Sequence, residues 1–252
     1  MNAPGKRIRI GACLRALGVG VTLAWLTANQ LRAELPRGGR VGWGRLETSN
    51  SIWAIHSDHD AQLAAFIQEQ TSLNIDPAWH SVKADEVEQL CTYPLIYAKD
   101  LSDLRESELV NLAEYLRRGG FLLIDPCGAR VSSMEDYLQR HREMFVRMLP
   151  GVEMRKLPED HPIFGCYFKV TKENLITEDM LRLGAPRPTD SGTYGIYYRG
   201  RMVAVLTTVG LECGWPNTPQ RIPGCMQMIV NMYVYAMTRP AEVGAETPTA
   251  RK

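Results

Sequence analysis

Beyond residue 33 the sequence has no run of basic residues, so the expected mature domain offers no electrostatic footprint of a nucleic-acid binder. It has no C-x-x-C pair, which removes the usual spacing of a zinc site. No internal repeat is visible, and repeat architectures are excluded with it. No acid precedes Glu34, although Lys6, Arg7, Arg9, Arg15 and Arg32 all do. The uncharged apolar run from Ala16 to Ala28 falls short of the roughly 20 residues that a bilayer span needs.

What is present is ordinary globular composition: 252 residues, 45% hydrophobic and 23% charged. That lies far from the low-hydrophobicity regime of disorder. The basic start and the apolar run ALGVGVTLAWLTA have the form of a signal peptide over residues 1–33, with cleavage expected between Asn29 and Leu35. Export to the periplasm or beyond follows from that reading. In the alternative, Ile10 to Leu31 stays uncleaved and anchors the chain in the inner membrane, with Arg15 snorkelling. The membrane then enters only through this segment. No Cys follows the apolar run, so a lipoprotein anchor has no support. A chain starting at Glu34 has 24 basic and 28 acidic residues, a net charge of −4.

Five cysteines remain beyond the signal: Cys91, Cys127, Cys166, Cys213 and Cys225. Cys213 and Cys225 bracket the Pro/Gly-rich loop GWPNTPQRIPG. Two readings stay open there: a bridge closing that loop, or five small buried hydrophobes.

Periodicity predicts one α/β domain over 34–239, followed by a disordered tail over 240–252. Arg40 to Leu46 reads as a first strand with Val41 and Trp43 on one face. Asp60 is the expected N-cap of a helix through Gln70 that buries Leu63, Phe66 and Ile67. Trp79 to Val82 is expected at an edge, because Pro77 suits an edge better than a centre. LIYA (Leu95 to Ala98) and FLLI (Phe121 to Ile124) look like buried strands. Between them Leu109, Leu112, Ala113 and Leu116 repeat at helical spacing, and Gly119-Gly120 end the helix. Strand, helix, strand with apolar strands predicts a parallel sheet covered on both faces.

A second helix is capped by Ser132 or Ser133 and buries Tyr137, Met144, Phe145 and Met148. Val152 to Leu157 is a further strand. Ile196 to Tyr198 and Met202 to Thr207 form a hairpin around Arg199-Gly200. The last helix, Cys225 to Thr238, is apolar nearly all round and is therefore expected to be buried.

Several segments carry a family resemblance. They are Leu104 to Gly120 followed by FLLID, Asp160-His161-Pro162-Ile163-Phe164, Gly200-Arg201 followed by MVAVLTT, and Cys213-Gly214-Trp215. Together they resemble the bacterial domain of unknown function 4159 family, over nearly all of Arg40 to Thr238. The resemblance implies a flavodoxin-like three-layer sandwich with a mostly parallel sheet, similar to class I glutamine amidotransferase-like domains. It carries over no established activity, and it leaves the cofactor unknown.

Ligands of open parallel sheets bind beyond the carboxyl ends of the strands. That rule collects Trp53, His56, Asp58, His59 and Asp60, then Lys99 and Asp100, then Asp125, Cys127 and Gly128, then Glu212, Cys213 and Trp215. Asp125, Lys99 and at least one of His56 or His59 are expected to line one cleft, with Trp215 at its edge and His161 approaching it. Asp125 is equally readable as a cap of the following helix. The catalytic candidates are Asp125, Cys127 and His161, with Cys127 as the nucleophile of an amidotransferase-like hydrolase. Pro126 stands before Cys127, so the superfamily's G-x-C-x-G elbow is missing, and so is its H-x-E pair. A metal held by His56, His59 and Asp125 is a second route to hydrolysis. The reading favoured is a non-catalytic ligand-binding or scaffold module of the cell envelope. Its partner would be an unknown small molecule or envelope protein, and not nucleic acid.

Overall fold

A computed structural model describes residues 39–127, 131, 133–175, 192–215 and 222–238. Backbone contacts divide the chain into residues 1–38 and 39–252. The expected signal segment and tail lie outside the described residues, as do Gly128 and Ser132. No helix among the described residues is long and apolar enough to cross a membrane.

Among the described residues seven strands build one sheet: β1 (Val41–Glu47), β2 (Ile75–Lys83), β3 (Ile96–Ala98), β4 (Leu122–Ile124), β5 (Glu153–Lys156), β6 (Thr193–Tyr198) and β7 (Arg201–Thr207). Their order is β2-β1-β3-β4-β7-β6-β5. The first five in that order are parallel, and β6 and β5 extend them as an antiparallel ribbon. This is the flavodoxin-like order with a hairpin added at one side. Ile96 and Leu122 lie side by side in parallel register, as the apolar runs LIYA and FLLI predicted.

Alternation along those short strands explains why they read as continuous apolar runs. Tyr97, Leu123 and Val205 join a core with α1 (Asp60–Gln70) and α5 (Pro223–Thr238). Ile96, Ala98, Leu122 and Ile124 join a second core with α3 (Glu106–Arg117) and α4 (Met134–Met148). A strand covered on both faces has no polar position. The fold is thus a three-layer α/β/α sandwich, with a short α2 (Val87–Leu90) leading into β3.

The two glycines after α3 have different tasks. Gly119 takes φ 109°, and Gly120 N–H bonds back to Tyr115 O at 2.9 Å, closing the helix. Gly120 lies against the Tyr115 ring, where a Cβ would come within 2.2 Å of ring carbons. Ser133 caps α4 by accepting from Asp136 N at 3.2 Å. Strand β2 is an edge, as Pro77 suggested, but it is longer than Trp79 to Val82. Its register against β1 slips between Ile75 and Trp79, so a bulge and a proline together blunt that edge.

Candidate functional site

Strand order reverses between β1 and β3, and the charged residues of interest gather at the carboxyl end of that junction. Arg45 of β1 sits on the same face as Val41 and Trp43 and is completely buried. Its Nε and Nη2 donate to the two oxygens of Asp60 at 2.7 and 2.6 Å. Its Nη1 donates to Trp53 O at 3.0 Å, and its guanidinium lies 4.7 Å from the Tyr97 ring centre. Nη2 also donates to Glu212. Burial works against the guanidinium charge. The Asp60 hydrogen bond, with the fields of Tyr97 and Glu212, overcomes it and leaves the Arg45 pKa above its ordinary value.

Lys99 follows β3 and donates to the other oxygen of Glu212. Asp125 follows β4. Its carboxylate accepts from the Thr207 hydroxyl, from Leu211 N at 2.9 Å and from Glu212 N at 3.2 Å. Burial pushes the Asp125 carboxyl above the usual carboxylate range, and those three donors with nearby Lys99 resist it. Asp60 is raised likewise by burial, opposed chiefly by Arg45. Five ionisable side chains, three acidic and two basic, are therefore buried together. Buried charges persist only when paired and hydrogen-bonded, and each of these is.

Several expectations are corrected at this point. Asp60 is not the N-cap of α1; His59 occupies that position, and Asp60 is the first helical residue, turned inward to Arg45. Asp125 does not cap the helix after it. It caps a 3-10 turn, Leu211–Gly214, that comes from β7. Trp215 is not at a cleft edge: it is fully buried, packed edge-on against Trp43 at 5.9 Å and against Tyr97 at 5.5 Å. The rule that apolar and aromatic surface goes inside wins over the loop's Pro/Gly composition.

His161 does not approach the rim. Its Nδ1 accepts from Ile163 N at 3.2 Å, and Nε2 meets the Tyr197 hydroxyl at 3.3 Å. Tyr197 pairs with Met202 at the start of β7, whereas Thr207, beside Asp125, ends it. Five residues of strand put about 17 Å between those points. His141, the other histidine downstream of Cys127, is held by Tyr137 O at 2.8 Å and Leu101 N at 3.4 Å. Cys127 itself is buried, three residues beyond β4.

His56 and His59 stack on each other, with ring centres 5.2 Å apart and planes 12° from parallel. His56 is exposed and holds a left-handed backbone at φ 62°. Asp125 is turned to Thr207 and the 211–212 amides, so the expected His56, His59, Asp125 metal trio is not assembled. Among the described residues no three His, Cys, Asp or Glu side chains are placed to hold a metal ion. Trp53 contributes its carbonyl to Arg45 and its side chain is half-buried. No disulfide joins Cys213 and Cys225, so the expected bridge is not formed.

Of the expected cleft, Asp125 and Lys99 are brought together, with Glu212 between them. Arg45 was missed. Its signal was available: the alternation that turns Val41 and Trp43 inward turns Arg45 inward too. No curated protein matches this sequence. Residues 43–237, which run from within β1 to within α5 and include every residue of the buried charge cluster, match a family model, and the chain belongs to that family, the domain of unknown function DUF4159.

Proposed function

We propose that this chain is an exported, non-catalytic amidotransferase-like module of the cell envelope that binds a polar ligand or an envelope partner at the β1/β3 junction. One observation carries the non-catalytic part of the reading: the charged groups at that junction are spent on each other. Lys99 and Arg45 share Glu212, Arg45 grips Asp60, and Asp125 is filled by Thr207 and two amides. The superfamily chemistry needs a nucleophile with a base beside it. Here His161 and His141 are both engaged elsewhere.

The test is hydrolysis of glutamine and of a panel of simple amides and esters by the full chain, beside Cys127→Ser. The expected result is no turnover that depends on Cys127. A rate lost in Cys127→Ser, with an unchanged melting curve, would overturn the non-catalytic reading. Export is tested by N-terminal sequencing of protein from the native compartment. A start between Asn29 and Leu35 supports it, and an intact Met1 end in the membrane fraction refutes cleavage.

A further inference from the structure

The Glu212 carboxylate bridges two cations, one oxygen on Arg45 and the other on Lys99. Arg45 lies near the carboxyl end of β1 and Lys99 directly follows β3, adjacent strands on either side of the order reversal. Open parallel sheets receive their ligands at that place. Glu212 arrives there from far along the chain, 113 residues from Lys99, on the turn Leu211–Gly214. The turn is entered through Gly210, whose φ of 68° only glycine adopts freely.

Stability alone does not account for this arrangement. A buried ion network is often replaceable by apolar side chains of similar volume without loss. An arginine fork beside a lysine is the donor set that recognises a carboxylate. Without Glu212, Asp60 would still satisfy one side of Arg45, and Lys99 would be unpaired in a dry site.

We propose that Glu212 is an internal stand-in for a ligand carboxylate. The turn Leu211–Gly214 moves out about Gly210 while Trp215 stays packed on Trp43 and Tyr97, and a small carboxylate-bearing molecule takes the place of Glu212 between Arg45 and Lys99. The module is thereby self-inhibited, because its own acid competes with the ligand. The proposal names the ligand class of the binding reading above and rests on it. A hydrolase with the same latch would fail the Cys127 test and pass this one.

The experiment uses the full chain and succinate as the probe. Glu212→Gln keeps the side chain's shape and removes the competing charge. Calorimetry should show succinate binding at least tenfold tighter to Glu212→Gln than to the unaltered protein. Adding Lys99→Met to that variant should abolish it. Equal affinity in Glu212→Gln and the unaltered protein, both folded, overturns the proposal. Where Glu212→Gln does not fold, amide exchange in the unaltered protein decides. Succinate at saturation, against chloride of matched ionic strength, should speed exchange at Leu211 and Glu212 at least tenfold, since opening frees both amides from Asp125. Unchanged exchange overturns the proposal.

Discussion

Asp125 accepts the backbone N–H of Leu211 at 2.9 Å, although 86 residues separate the two in sequence. The bond ties the end of β4 to the turn that follows β7, and Glu212 is delivered to Arg45 and Lys99 as a consequence. Asp125 is therefore a positioning residue for the whole junction.

Replacing it has a larger cost than a surface helix cap would. Asp125→Ala strands the Thr207 hydroxyl and two buried amides, each worth about 1–3 kcal/mol when unsatisfied. Urea denaturation should show a loss of about 3 kcal/mol or more. A loss near 1 kcal/mol, the value for an ordinary cap, would count against this role.

Arg45→Lys is not conservative. The ammonium keeps the charge but cannot donate to both Asp60 oxygens, Glu212 and Trp53 O at once. Arg45→Met strands the buried Asp60 carboxylate, leaves Glu212 with Lys99 alone, and should cost about 3–5 kcal/mol. Arg45→Lys should recover less than half of that in the same denaturation series. Stability equal to the unaltered protein would sink the bidentate argument.

Gly119 and Gly120 separate two physical effects at neighbouring positions. Gly119→Ala forces a Cβ onto a left-handed backbone and should lose about 1 kcal/mol. Gly120→Ala drives a Cβ into the Tyr115 ring, whose hydroxyl is fixed by Tyr93 O and Phe121 O at 3.0 Å each. Overpacking should make that loss the larger one, about 2–3 kcal/mol. The reverse order in thermal melts would refute the assignment.

His141 gives stability a pH dependence of defined sign. Its Nδ1–H donates to Tyr137 O while Nε2 accepts from Leu101 N, the pattern of a neutral ring. Burial pushes its pKa below the usual histidine value, against the field of Asp100. The unfolded chain then binds the proton more readily than the folded one. Its contribution is full above about pH 6.5 and is lost as pH falls toward the depressed folded value. The drop in urea midpoint between about pH 7.5 and pH 5.5 should be smaller in His141→Leu. An identical drop in both proteins would show that His141 is not the titrating group.

The architecture was legible because it rests on local pattern. LIYA and FLLI are short apolar runs bounded by turn signals, and Leu109, Leu112, Ala113 and Leu116 mark one helical face. Those patterns report which residues avoid water, and a parallel sheet needs little more than that plus a crossover helix. The junction was legible only in part. Asp125 and Lys99 were found because strand ends converge by rule. Glu212 fell within the same set of strand-end residues, but its partnership did not, since nothing local ties it to Lys99.

The sequence by itself determined the strand and helix faces, the parallel core and the end of the sheet where charge would collect. Tertiary structure alone decided which charges met. Asp60 reads as a helix cap, Trp215 as a loop residue and His161 as a neighbour of the rim, because local preference cannot see a partner from a distant element. Arg45 drew Asp60 inward, since a buried guanidinium must be neutralised. Packing on Trp43 and Tyr97 took Trp215 out of solvent, and the length of β7 put His161 at the far end of the sheet.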